Sequence, residues 1–210
     1  MSMSRHLKWL LWIVLFGALW GLNEILAEGA FEGANKAGVT VWLAAWAFLV
    51  LAVARAILNQ PGSSVCIGAL AALFRTVNTG PFICHILGIF LLGVGFDLAA
   101  TLLMRREKAR GPLRCVLTGV FGVYLGRALF ALIITYIVRY EYWVAAGSGK
   151  VIDHIFSNGS LAALAAAITV PLGYWIGSNG KRIVENRPRW AYATATAAAV
   201  LLWTVGSFIA

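Results

Sequence analysis

Long apolar stretches, separated by short polar breaks, are the feature that most limits what this chain can fold into. A bilayer core about 30 Å thick is crossed by about 20 mostly apolar helical residues. Seven such stretches follow one another, and we predict spans at 9–31, 39–58, 62–78, 82–104, 113–138, 159–180 and 190–209. The breaks are rich in helix-ending residues, as in Asn59-Gln60-Pro61-Gly62 and Gly111-Pro112. The sequence therefore predicts an all-α integral membrane protein, a compact bundle of about seven transmembrane helices forming a single domain over 1–210.

The composition fits this interpretation and limits the chemistry. Of the 210 residues, 61% are hydrophobic and only 12% are charged, which is typical of membrane proteins. No soluble domain fits between the spans, so an ATPase would have to be a separate chain. Cys66, Cys84 and Cys115 lie in or beside apolar runs without CxxC spacing, which favours buried thiols over disulfides or zinc ligands. We predict no metal and no cofactor.

The basic residues predict an orientation. With the N-terminus inside, the inside segments hold 12 of the 17 Lys and Arg residues, whereas the outside segments hold three, Lys36, Arg139 and Lys150. Such a bias is the positive-inside pattern of multi-pass proteins. We therefore expect a protein of the cell membrane (inner or plasma membrane) with a cytoplasmic N-terminus. The net charge of +9 then reflects topology and the lipid bilayer, and nucleic acid is not an expected partner.

Acidic residues close the first span, in the stretch from Trp20 to Gly33. Glu24, Glu28 and Glu32 are spaced four residues apart and share one helical stripe. At 1.5 Å per residue, Glu24, Arg75 and Arg127 each lie roughly 20 Å from the inner end of their span. We expect them to share a level in the outer half of the membrane.

Two interpretations of these charges remain open. Glu24 pairs with Arg75 or Arg127 as a buried structural tie, or the charges line a polar pocket open to the outside. A single tie does not require further polar groups at neighbouring depth, and a ligand site does. Under the second interpretation the predicted ligand-binding residues are Glu24, Glu28, Arg75, Asn78, His85 and Arg127.

Other polar and small residues are assigned structural roles. Asp97 is expected near the cytoplasmic side, either snorkelling or paired with an arginine, rather than binding a ligand. Gly147-Ser148-Gly149-Lys150 lacks the first Gly and the final Ser or Thr of a phosphate-binding loop. A cluster of aromatic residues on the outer side forms either an interfacial belt or a lid for a flat ligand. It consists of Tyr136, Tyr140, Tyr142 and Trp143. Glycine pairs at four-residue spacing predict close helix packing, and they are Gly17/Gly21, Gly29/Gly33, Gly122/Gly126 and Gly173/Gly177.

Two segments, GALWGLNE (Gly17 to Glu24) and PGSSVCIGALAALFRTVNTGPF (Pro61 to Phe82), resemble the substrate-binding S components of energy-coupling factor (ECF) transporters. The resemblance runs over about residues 15–100. It implies a six-helix bundle that captures a micronutrient and delivers it to a separate transmembrane coupling protein with two cytoplasmic ATPases. It also implies partner docking through small residues of the first helix, here Gly17, Ala18 and Gly21. Residues 190–209 would then be a C-terminal helix added to the six.

The expected function is capture of a small-molecule ligand for ATP-driven import, without enzymatic activity. The alternative is a membrane anchor or assembly subunit of a larger redox or envelope complex. An intramembrane enzyme is disfavoured, because HExxH, a Ser/His arrangement and an aspartate pair on facing spans are all missing from the sequence.

Overall fold

The computed structural model describes residues 4–30, 36–104 and 111–209, and this part of the chain is almost entirely helical. The elements are α1 (Arg5–Ala30), α2 (Lys36–Leu58), α3 (Ser63–Thr79), α4 (Ile83–Leu103), α5 (Pro112–Leu132), a first π-helical segment (Ile133–Ile137), α6 (Glu141–Ile152), a second π-helical segment (Asp153–Ser157), α7 (Asn158–Asn186) and α8 (Pro188–Ile209). The helical prediction is therefore confirmed.

Six of the helices form a closed ring. Going around it, α1 packs on α3, α3 on α4, α4 on α5, α5 on α7, α7 on α2, and α2 again on α1. Helix α8 lies outside the ring and packs chiefly against α1. The core at the centre is apolar, with Phe48 of α2 set edge-on against Phe96 of α4 at a centroid distance of 5.3 Å.

Glycines bring neighbouring helices close together. A Cβ added at Gly95 of α4 would lie 2.5 Å from the Gly126 nitrogen of α5, and one at Gly173 of α7 would lie 2.5 Å from the Leu49 oxygen of α2. Gly17 faces Leu70 of α3. These contacts confirm the close packing predicted for three of the glycine pairs. The contacts of the pair Gly29/Gly33 lie outside the part of the chain that the structure describes.

Most of the helices have the dimensions of membrane spans. By length and composition, six helical stretches of the described chain could cross a membrane: His6–Ala27, Gly38–Leu58, Ile83–Leu103, Pro112–Ile137, Glu141–Asn186 and Pro188–Ile209. The predicted third span corresponds to α3, whose 17 residues reach only about 25 Å. The pattern is that of a multi-pass membrane protein, and α3 takes its place in the ring through packing on α1 and α4.

Residues 139–158, which the sequence places in an outer connection, are largely helical. Helix α6 bends at Gly147, whose φ is 68°, a backbone conformation that glycine adopts without strain. The bend lets Trp143 and Val151, both buried, pack with Phe130 of α5. The glycine-rich Gly147-Ser148-Gly149-Lys150 stretch is thus part of a kinked helix, and the expectation that it is no phosphate-binding loop agrees with this placement.

Candidate functional site

Glu24 lies on the inner face of α1 and is buried. Its Oε1 accepts a hydrogen bond of 2.9 Å from Trp20 Nε1, one helical turn earlier. The preceding residue, Asn23, accepts a bond of 3.3 Å from Trp42 Nε1 of α2, while its own Nδ2 is buried without a partner among the described residues. Asn23 was not predicted as a site residue, although its amide stands directly beside Glu24 in the sequence.

Arg75 lies on α3 close to the level of Glu24. Gly17 faces Leu70 and Gly21 faces Phe74, so α1 and α3 run in the same direction in a fixed register. Counting from the Gly21–Phe74 contact, Glu24 and Arg75 differ by roughly 3 Å along the helix axes. Arg75 is buried, with 4% of its surface exposed. A buried acid and a buried base therefore share one level of two packed helices.

The other residues predicted around this pair lie nearer the ends of their helices. Asn78 is half-buried, and its Nδ2 donates to the Phe74 carbonyl of its own helix at 2.6 Å. His85 is exposed at the start of α4 and meets the Phe82 ring edge-on. The Glu28 side chain and Glu32 lie outside the described part of the structure, so their predicted roles stay predictions.

Arg127 belongs to a different place in the ring. It lies on α5, is 6% exposed, and its Nη1 donates to the His154 carbonyl of the second π-helical segment at 3.5 Å. Its Nε is buried without a hydrogen-bond partner, and no carboxylate of the described residues forms an ion pair with it. The interpretation in which Glu24 pairs with Arg127 therefore does not hold in this structure.

Aromatic rings pack around His154, whose carbonyl accepts the Arg127 hydrogen bond. The His154 ring lies 5.3 Å from that of Phe130 and 5.2 Å from that of Trp143, and the latter two rings meet edge-on at 5.2 Å. Trp143 is 7% exposed, whereas Tyr136 and Tyr142 are 59% and 67% exposed. Of the aromatic cluster predicted from the sequence, Trp143 is thus buried, while Tyr136 and Tyr142 are exposed.

A second cation, Lys150, lies over two of the aromatic rings of this region. Lys150 Nζ lies 3.1 Å from the centroid of the Tyr142 ring and 4.9 Å from that of Trp143. Ammonium groups over aromatic faces are held by the ring quadrupole. Both elements of this corner end in π-helical turns, which occur frequently at functional sites.

The small residues predicted to dock a partner are buried within this chain. Gly17 and Gly21 lie against Leu70 and Phe74 of α3. Ala18 is fully buried in a cluster with Phe74 of α3 and Trp203 of α8. A partner could reach these positions only after side chains of α3 and α8 moved away, because they already form an intrachain interface. Docking through them stays a prediction.

No protein-family model, no curated protein and no solved structure matches this chain. Two polar centres of the described chain, one at Glu24 and Arg75 and one at Arg127, indicate what the protein could bind. The described residues contain no group of three or more His, Cys, Asp or Glu side chains that could hold a metal ion. The first centre offers an acid, a base and amides, and the second offers a buried cation with aromatic walls. Both arrangements suit the binding of a polar molecule.

Proposed function

We propose that this chain is a membrane-embedded substrate-capture subunit for ATP-driven import of a micronutrient or other small molecule. In this account its helices cross the cell membrane with the N-terminus in the cytoplasm, and a polar pocket opens to the outside. The energy comes from separately encoded ATPases that act through a transmembrane coupling protein. The ligand binds at the Arg127 centre, and Glu24 with Arg75 forms a separate polar centre between α1 and α3.

Buried, charged side chains inside a ring of apolar helices carry this proposal. An ionised group in the middle of a bilayer costs about 2.5–3.5 kcal/mol on insertion scales, so such groups mark pathways, partners or ligand sites. Arg127 is the decisive residue, because it is almost fully buried and no described carboxylate neutralises it.

The arrangement of helices also supports the proposal. Six helices form the ring and α8 lies outside it, which suits the resemblance to six-helix ECF S components with an added C-terminal helix.

Reconstitution into liposomes tests this function. We expect the purified chain to bind its ligand without ATPases, and to transport it only when a coupling protein and ATPases are added. Transport by the chain alone, driven by an ion gradient, would contradict the subunit account, since it would show that the chain contains its own coupling mechanism.

The alternative, an anchor or assembly subunit, has one observation in its favour. An apolar groove runs between α1 and α8, lined by side chains such as Leu10, Val14 and Val200. A partner helix would fit such a groove, as would lipid. Purification in mild detergent distinguishes the two functions, because a stable complex with redox or envelope subunits would favour the anchor.

A further inference from the structure

We propose that Arg127 is the anchor of an oxyanion-binding site, formed with His154, Trp143, Phe130 and Lys150, that takes a carboxylate or phosphate group. The inference deepens the proposed function and rests on it for the physiological ligand, which would be a small organic anion. The binding chemistry itself does not depend on transport.

The charge of Arg127 requires a counter-charge that the described chain does not provide. Guanidinium groups have five donors in a fixed fork, yet the one hydrogen bond that Arg127 makes within the described chain is the long one to the His154 carbonyl. Its Nε is buried and has no hydrogen-bond partner among the residues that the structure describes. Planar carboxylates and phosphates match the fork with two parallel hydrogen bonds. An oxyanion is therefore the group that best completes this residue.

The acidic residues near this corner are not available to Arg127. Asp153, next to His154 in the chain, is exposed and accepts a hydrogen bond of 2.9 Å from Asn158 Nδ2. Glu141, at the start of α6, is also exposed. Neither of them forms an ion pair with Arg127.

The surroundings specify more than charge. The Trp143 ring meets the rings of Phe130 and His154 edge-on, and the latter two rings are tilted at 46° to each other. This group includes His154, whose carbonyl accepts the Arg127 hydrogen bond, and such rings pack well against a flat apolar body. Lys150, held over the rings of Tyr142 and Trp143, adds a second positive charge next to this aromatic group. An anionic ligand with a planar apolar part fits both features.

Binding of benzoate and of its neutral analogue benzamide, followed through tryptophan fluorescence, tests the site in phosphatidylcholine nanodiscs. We expect benzoate to bind about tenfold tighter than benzamide or better, because only the carboxylate makes charge-assisted hydrogen bonds. Arg127→Gln should remove this preference, and Lys150→Gln should weaken it. Arg139→Gln is the matched control, because Arg139 is exposed and the same charge is lost.

A second arm asks whether the oxyanion belongs to a lipid headgroup. The chain is placed in nanodiscs containing phosphatidylglycerol, and the lipid retained after transfer to detergent is measured by native mass spectrometry. Retention that Arg127→Gln abolishes and Arg139→Gln preserves would assign the site to a lipid phosphate. That result would support the oxyanion site while removing it from substrate capture.

The melting temperature of Arg127→Gln shows whether a loss of binding comes from the lost charge or from unfolding. Because Arg127 has no acidic partner in the described chain, Arg127→Gln should melt at the wild-type temperature or above it. Equal binding of benzoate and benzamide by the wild-type protein, together with lipid retention that does not depend on Arg127, would overturn the proposal. So would a large fall in melting temperature, which would show that Arg127 is a structural tie.

Discussion

The guanidinium of Arg55 lies 3.7 Å from the carboxylate of Asp97, with both side chains buried. The same carboxylate accepts backbone hydrogen bonds from Gly62 and Ser64 at 2.8 and 3.2 Å. Arg55 in turn donates to the Gln60 carbonyl at 2.8 Å. Together these contacts hold the α2–α3 turn against α4. The Asp97 carboxylate also satisfies free backbone N–H groups at the N-terminus of α3, where a negative charge interacts favourably with the helix dipole. Of the two alternatives expected for Asp97, pairing with an arginine is the one that the structure shows.

Removal of this carboxylate should destabilise the fold strongly. Asp97→Ala leaves Arg55 as a buried cation beside unsatisfied amides, and we expect a loss of about 3–5 kcal/mol in unfolding free energy. Asp97→Asn should cost less, because it keeps an acceptor oxygen. Chemical unfolding in detergent measures both. The control is Glu185→Ala, which removes an exposed ion pair to Lys181 and should change stability by less than about 1 kcal/mol.

The glycine contact between α4 and α5 should tolerate no side chain. In Gly95→Ala the new methyl group would lie 2.5–2.6 Å from backbone atoms of Gly126 and Gly122, so the two helices must move apart at a cost of about 1–3 kcal/mol or more. Gly149→Ala is the matched control, because open space surrounds that position. Equal melting temperatures for the two variants would refute the close contact.

The helices could be predicted because their signals are local. Apolar length and the breaks at Asn59-Gln60-Pro61-Gly62 and Gly111-Pro112 place most helix ends within a few residues of those observed. The helices within 139–158 were not predicted, because charged and polar residues interrupt the apolar pattern there. Its helical structure depends on tertiary packing of Trp143 and Val151 against Phe130, which is not a local property.

The candidate site could be predicted only in part. The sequence shows which charges fall within apolar runs, and the register of α1 and α3 brings Glu24 and Arg75 to one level as expected. It does not show which residues face each other across the ring. The position of Arg127 beside His154, rather than beside Glu24, follows from the packing of α5 against the second π-helical segment.

Glu24 and Arg75 should be energetically coupled. Their positions on packed helices predict that the double variant Glu24→Gln/Arg75→Gln is more stable than the sum of the single changes implies, by about 1–3 kcal/mol. A double-mutant cycle on unfolding free energy measures this coupling. The matched cycle with Glu24→Gln and Arg127→Gln should be additive, because Arg127 forms no ion pair with Glu24. Coupling in the second cycle and not in the first would reverse our assignment.

The proposed orientation predicts which ends of the helices face outward. Single cysteines are introduced at Ser148 in α6 and at Arg187 between α7 and α8, in a chain whose three native cysteines have been replaced. In intact cells a membrane-impermeant thiol reagent should label position 148 and spare position 187 until the membrane is opened. The reverse pattern would show that the N-terminus faces outward.

Native mass spectrometry of the purified chain tests the central claim, capture of a small molecule, most directly. The protein is extracted from its own membranes in mild detergent and its mass is compared before and after denaturation. We predict one bound organic molecule per chain in the wild type, retained in Arg139→Gln and lost or greatly reduced in Arg127→Gln. The account would be contradicted if the wild type, Arg139→Gln and Arg127→Gln all carried only lipid, and in equal amounts.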